Sequence, residues 1–224
     1  MELDLRLTIP AAVLVFVMWS GGCHLLPAGN LAAVRHVSDQ PRIGNVYLIR
    51  GWRDLYSAGI DQLADDLRAS GVSAQVYRDA QWRDLARALK QAYSVNADHE
   101  PLVLIGFSYG ADDALRVAEE LLRRGLPVDL VITIDPVTPP RVPENVVTCY
   151  DYYQTNGVWD AFPWLRGVPL SRSGVGKLVN VDLRKSRPDL VEPNTSHSNI
   201  ASNPKLRQEI VARVLEVCRE REAR

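Results

Sequence analysis

Apolar positions along this chain alternate between two rhythms. Asn45–Arg50 (NVYLIR) is a short, β-branched apolar run that stops at Gly51, the pattern of a buried strand. Ile60, Leu63, Ala64 and Leu67 then recur at helical spacing behind Ser57, an N-cap residue, until Gly71 closes the element. The same alternation follows, with a strand over Ser73–Tyr77 and a helix after Asp79 that carries Trp82, Leu85, Ala86 and Leu89 on one face. A third strand, Leu102–Ile105, runs through Gly106-Phe107-Ser108-Tyr109-Gly110 straight into a helix striped with Ala111, Ala114, Leu115, Ala118, Leu121 and Leu122. Val128–Ile134 and Val146–Tyr150 are two more strand-like runs, and Lys177–Leu183 is a weaker one. Asn203 and Pro204 suit an N-cap and first helical residue, opening a last helix with Leu206, Ile210, Val214 and Val217 inward. Strands separated by helices predict an α/β fold: a three-layer αβα sandwich around a mostly parallel sheet.

Composition narrows the classes without choosing among them. With 224 residues, 46% hydrophobic and 24% charged, the chain suits one globular domain with a substantial core. Lys and Arg total 26 against 27 for Asp and Glu, so the net charge of -1 offers no field for nucleic acid, and no nucleic-acid partner is expected. Cys23, Cys149 and Cys218 are too few for a disulfide scaffold and lack zinc-site spacing. Cys149 and Cys218 fall on apolar runs, as core thiols do; in an exported protein they would also have the chance to pair.

Ahead of the alternating region, Ile9–Trp19 is an apolar run of 11 residues, shorter than the roughly 20 needed to cross a bilayer as a helix. It suits the core of a signal peptide. Ser20-Gly21-Gly22-Cys23 follows at once and resembles the cleavage and lipidation site of bacterial lipoproteins. That resemblance implies export, with Cys23 as an acylated N-terminus and the mature protein periplasmic or anchored to the cell envelope. A buried or frayed apolar helix with a chance cysteine is the alternative. The expected division is therefore an address over 1–22, a tether over 23–44 and the globular α/β domain over 45–224.

Gly106-Phe107-Ser108-Tyr109-Gly110 fits G-x-S-x-G, and its context is a strand before and a helix after. Such a turn holds a serine strained at its tip with the hydroxyl exposed, while the helix N-terminus brings the Tyr109 amide near a developing oxyanion. A serine hydroxyl needs a base. Of the four histidines, His24 lies beside the processing site, His36 precedes the first strand and His99 sits in a polar loop before the elbow strand. His197 alone follows Ser108, in the loop Asn194–Asn199 ahead of the last helix, and is the expected base. Three carboxylates at strand ends compete to orient it: Asp135, favoured, then Asp151, then Asp182. The loop after the first strand should supply a second oxyanion donor, with Gly51 allowing close approach and the Trp52 amide donating; Arg50 and Arg53 beside it either bind an anion or are solvated.

With Ser108, Asp135 and His197 in that order, the chain from about Asn45 onward resembles the α/β-hydrolase superfamily, and its small size resembles compact lipases and esterases. An acid directly after the post-elbow strand also resembles lipases, while many members carry it one strand later, where Asp151 stands; Phe107 occupies a position often held by histidine in lipase elbows. The resemblance implies two-step acyl transfer on a carboxylic ester or lipid substrate, with no metal or organic cofactor. A thioesterase or acyltransferase with the same triad is an alternative, as is a catalytically silent, envelope-anchored binding protein. Tyr152–Gly176, with Tyr153, Trp159, Phe162 and Trp164, forms either a small lid or acyl pocket or a loop packed on the sheet.

Overall fold

In the computed structural model, which describes residues 27–94, 99–155, 157 and 167–222, six strands form one sheet in the order β2-β1-β3-β4-β5-β6. They are β1 Asn45–Ile49, β2 Ser73–Tyr77, β3 Leu102–Phe107, β4 Val128–Ile134, β5 Val146–Tyr153 and β6 Lys177–Asp182. Every neighbouring pair runs parallel. Among the described residues four α-helices flank it: α1 Ala58–Ala69, α2 Trp82–Ser94, α3 Tyr109–Leu122 and α4 Pro204–Val217. β3 and β5 run longer than their apolar patterns, because Gly106, Phe107 and Asp151 to Tyr153 still pair with β4 or β6.

Because strand side chains alternate faces, each central strand feeds two cores. Val46, Leu48, Val103 and Ile105 pack with Ile60, Leu63 and Leu67 of α1 and with Leu206, Ile210 and Val214 of α4. Tyr47, Ile49, Leu102 and Leu104 pack with Leu85 and Leu89 of α2 and with Leu115, Ala118 and Leu121 of α3. Cys218 lies in the first cluster and Cys149 in the second, so the sheet stands between these two buried free thiols and they cannot pair. Among the described residues no helix is long and apolar enough to cross a membrane.

The 1–22 address and Cys23 lie outside the described residues. From Pro27 the chain is tied to the domain: the Gly29 N–H donates to the Val76 carbonyl, and the Tyr47 hydroxyl donates to the Arg35 carbonyl. Glu100 accepts the amides of Ser38 and Gly44, each at 2.8 Å. Asn203 caps α4 as its side chain predicts, accepting from Lys205 and Leu206. Ser57 precedes α1 without capping it; its hydroxyl instead accepts the Gly51 N–H and donates to the Leu55 carbonyl.

Gly59 opens α1 against the backbone of Ala201, and a Cβ built there would lie 2.2 Å from the Ala201 carbonyl carbon. Helix propensity alone predicts that Gly59→Ala stabilises by ~1 kcal/mol. Overpacking should win, at a cost of about 1–3 kcal/mol and roughly 3–10 °C in Tm, as a thermal melt would show; an unchanged or raised Tm would contradict this packing.

Candidate active site

β3 delivers Ser108 at the C-terminal edge of the sheet with φ 56° and ψ −127°, a conformation that costs a non-glycine residue about 1–3 kcal/mol. The surroundings enforce it. A Cβ on Gly106 would lie 2.1 Å from the Gly110 carbonyl oxygen, and one on Gly110 would lie 2.3 Å from the carbonyl oxygens of Ile49 and Arg50. Both glycines of the motif therefore let α3 press onto β3 and the end of β1. The Ser108 N–H donates to the Ile134 carbonyl, continuing the β3–β4 ladder through the turn. Tyr109 begins α3, so its N–H has no acceptor within the helix and adds to the positive end of the helix dipole.

The loop from β6 to α4 brings His197 to this edge. Arg184 donates to the Thr195 carbonyl, Thr195 Oγ1 accepts the Glu192 N–H, and Asn199 Oδ1 accepts the Ser196 N–H, which shapes the turn on both sides of the histidine. The Phe107 ring packs on the imidazole with centroids 5.3 Å apart. His197 Nε2 lies 2.9 Å from Ser108 Oγ, and Nδ1 lies 3.1 Å from Asp135 Oδ2. The hydrogen-bond network assigns the tautomer: a carboxylate can only accept, so Nδ1 carries the proton and Nε2 is left to accept from the serine hydroxyl.

Asp135 is fully buried at the end of β4 with φ 48°. Its N–H donates to the Tyr152 carbonyl; Oδ1 accepts the Gln154 amide at 2.8 Å, and Oδ2 accepts Gln154 Nε2 at 3.3 Å as well as the histidine. Gly167 covers the carboxylate so closely that a Cβ would sit 2.2 Å from Oδ1. The other two acids are engaged elsewhere. Asp151, fully buried, takes the Thr133 hydroxyl at 2.7 Å and the Leu170 N–H at 3.3 Å, and burial pushes its carboxyl well above the usual carboxylate range. Asp182 takes the Thr155 hydroxyl and the Arg184 N–H, which closes the turn after β6.

The loop after β1 lies against Ser108: a Cβ on Gly51 would be 3.3 Å from Ser108 Cβ. With the Gly51 N–H committed to Ser57, Trp52 presents the next amide, at the head of a 3₁₀ turn over Trp52–Asp54. Arg50 is neither solvated nor an anion site. Its guanidinium is wholly buried, bound to Asp61 at 2.5 and 3.1 Å and to the Pro27 carbonyl at 2.7 Å. Arg53 stays at the surface side, its guanidinium 5.5 Å from the Trp52 ring centroid. His36 and His99 lie away from this edge; the His99 ring packs on Tyr93 of α2. Of the aromatic segment, Trp159, Phe162 and Trp164 lie outside the described residues. Among those residues, no cluster of ligating side chains could hold a metal ion.

Two supporting residues escape a reading by motif. Asp112, buried in the first turn of α3, accepts the Val137 and Thr138 amides and the Thr138 hydroxyl, tying the loop after Asp135 to the elbow helix. Gln154 grips Asp135 from the end of β5. Asp112 stands beside Ala111 and three positions before Leu115 of the apolar stripe, which is a sequence signal for the first; nothing local marks the second.

A family model for the thioesterase domain matches residues 60–146, from α1 to the start of β5. Solved structures with similar folds include a protein described as a YdeN-like hydrolase from Pectobacterium atrosepticum, at 15% identity over 79% of this chain and 93% of that one, with a TM-score of 0.45. An α/β serine hydrolase without a lid from Xanthomonas campestris matches at 18% identity over 83% and 86%, with a TM-score of 0.44. YbtT, a type II thioesterase of the yersiniabactin pathway, matches at 14% identity over 87% and 96%, with a TM-score of 0.42. No curated protein matches significantly. The six-stranded parallel sheet and the elbow are consistent with a minimal α/β-hydrolase fold.

The two buried aspartates should separate by substitution. Asp135→Asn withdraws the carboxylate from His197 and should slow modification of Ser108 by a serine-reactive fluorophosphonate about 10⁴-fold. Asp151→Asn is nearly isosteric with a protonated carboxyl and should have a far smaller effect; equal losses would reject the assignment. Stability should also respond to pH. Since folding raises the Asp151 carboxyl above its unfolded value of 3.8, its contribution is present at low pH and lost as pH rises through the folded value. The Tm of Asp151→Asn relative to the unsubstituted protein should therefore improve as pH rises.

Proposed function

We propose that the protein is a carboxylic ester hydrolase acting through an acyl-enzyme on Ser108. The observation that carries this reading is the unbroken line from Ser108 Oγ through His197 to Asp135, at 2.9 and 3.1 Å, on a strained elbow. His197 Nε2 takes the serine proton as Oγ bonds to the substrate carbonyl carbon, and the carbonyl π electrons move onto oxygen. The Tyr109 and Trp52 amides donate to that oxyanion. Asp135 stabilises the imidazolium from Nδ1 without taking its proton. As the tetrahedral species collapses, the bond to the leaving alcohol breaks and the alcohol departs with the Nε2 proton. Water then repeats the sequence on the acyl-enzyme, releasing the acid and restoring Ser108.

The match of residues 60–146 to the thioesterase domain favours a second reading, in which the leaving group is a thiol. The acyl-enzyme and the roles of the three side chains are the same. Matched oxoester and thioester substrates with one acyl group distinguish the two by kcat/KM.

A fluorophosphonate probe should label the protein and fail to label Ser108→Ala, with ester hydrolysis falling by about 10³–10⁶-fold. Labelling that survives the substitution would sink the proposal. We further propose export and acylation at Cys23, on the apolar run and small residues preceding it. Mass spectrometry of the N-terminal peptide from a bacterial host should find a lipid-modified Cys23; an unmodified chain beginning at Met1 would reject it.

A further inference from the structure

Among the described residues, six large apolar side chains are exposed, and three of them, Trp52, Leu55 and Tyr56, fall within five positions. They are 53%, 51% and 65% exposed, on the loop where a Cβ added to Gly51 would lie 3.3 Å from Ser108 Cβ. The loop is also conformationally expensive. Arg53, Asp54 and Tyr56 all have positive φ, at 51°, 61° and 55°, without one glycine among them.

A ring of bonds holds that shape. Ser57, itself buried, accepts from the Gly51 N–H and donates to the Leu55 carbonyl, closing the loop at its base. Asp79 accepts the Arg53 N–H. Asp54 is pinned from below by Arg50 at 3.7 Å and Arg78 at 3.3 Å. A solvent-facing connection of this length would ordinarily be polar and glycine-bearing. Here buried polar groups fasten the backbone, and apolar side chains stand in water.

We propose that Trp52, Leu55 and Tyr56 form an apolar platform for the acyl chain of the substrate, so that the enzyme prefers acids with an extended aliphatic chain to acetate. This rests on the acyl-enzyme reading above. The occupant follows from position: Trp52 carries the amide proposed to hold the carbonyl oxygen, so the residues just beyond it flank the group bonded to that carbonyl. From the first tetrahedral species until water releases the acid, the acyl group stays bonded to Ser108, beside this loop. Asp54 is paired with arginines beneath the loop and the Arg53 guanidinium lies over the Trp52 ring, while Leu55 and Tyr56 beyond them present exposed hydrocarbon.

The test compares p-nitrophenyl octanoate with p-nitrophenyl acetate, which share a leaving group, in the full chain and in Leu55→Ala/Tyr56→Ala. Rates are normalised to Ser108 sites titrated with fluorophosphonate, which corrects for any misfolded fraction. The unsubstituted protein should favour octanoate in kcat/KM, and the double substitution should lower the octanoate-to-acetate ratio by roughly tenfold. A ratio that does not change, or an equal loss on both esters, overturns the platform and leaves the loop a support for the oxyanion amide. An unchanged ratio with lost cosedimentation on phosphatidylcholine–phosphatidylglycerol vesicles overturns it in favour of a lipid surface. Failure of the underlying hydrolase reading looks different: no Ser108-dependent turnover of either ester and no labelling.

Discussion

The approach of α3 to the ends of β1 and β3 governs the architecture of this edge of the sheet. At Gly106 and Gly110 the neighbouring backbone lies so near that a single added carbon would sit about 2 Å from a carbonyl oxygen. The chain between the two glycines has no room to turn gradually, and Ser108 takes up the reversal in a left-handed conformation. That strain is sustained because β3, α3 and β4 all hold the turn: the Ser108 amide continues the ladder to Ile134, and its carbonyl starts α3. The hydroxyl is thereby aimed by backbone geometry and does not depend on a favourable rotamer of a loose loop.

From this point a polar network spreads along the C-terminal edge of a sheet that is otherwise filled with hydrocarbon. Arg50, Asp112, Asp135, Asp151 and Gln154 are all fully buried, and each engages a loop at that edge. Buried polar groups are costly unless bonded, so these residues hold their loops in one arrangement each. Asp112 binds the segment after Asp135 to the elbow helix, Gln154 orients the Asp135 carboxylate, and Arg50 fastens Pro27 and α1 beneath the Gly51 loop. The polar register Thr133–Asp151–Asn180 crosses three adjacent strands and holds Leu170, which leads back to Gly167 over Asp135. Serine, imidazole and carboxylate come from three separate segments, and their spacing depends on these ties.

His197 shows how packing and electrostatics combine. It reaches the elbow from the far end of the chain, and its ring rests on Phe107, the residue directly before the serine. An apolar ring at 107 excludes water from one face of the imidazole, while the carboxylate of Asp135 holds Nδ1 on its edge. Position 107 thus takes part in placing the His197 ring although it has no group that moves a proton.

The sequence by itself determined the rhythm of strands and helices and the Gly-x-Ser-x-Gly elbow, because each rests on local periodicity or on a fixed spacing; it singled out His197 by chain order, as the one histidine after Ser108. It also narrowed the orienting acid to three aspartates expected at strand ends, of which the fold places Asp135 and Asp182 at the C-terminal edge and Asp151 within β5. Distinguishing them took tertiary structure, since strand order and register decide that Asp135 faces the histidine while Asp151 is buried against Thr133 and Leu170. The same reason explains what the chain concealed. Arg50 reads as a loop arginine, Ser57 as a helix cap and Gln154 as an ordinary polar residue, yet their partners lie 11 or 23, 6 and 19 positions away. A contact between residues distant in sequence leaves no periodic trace, and only the packed sheet and its loops define it.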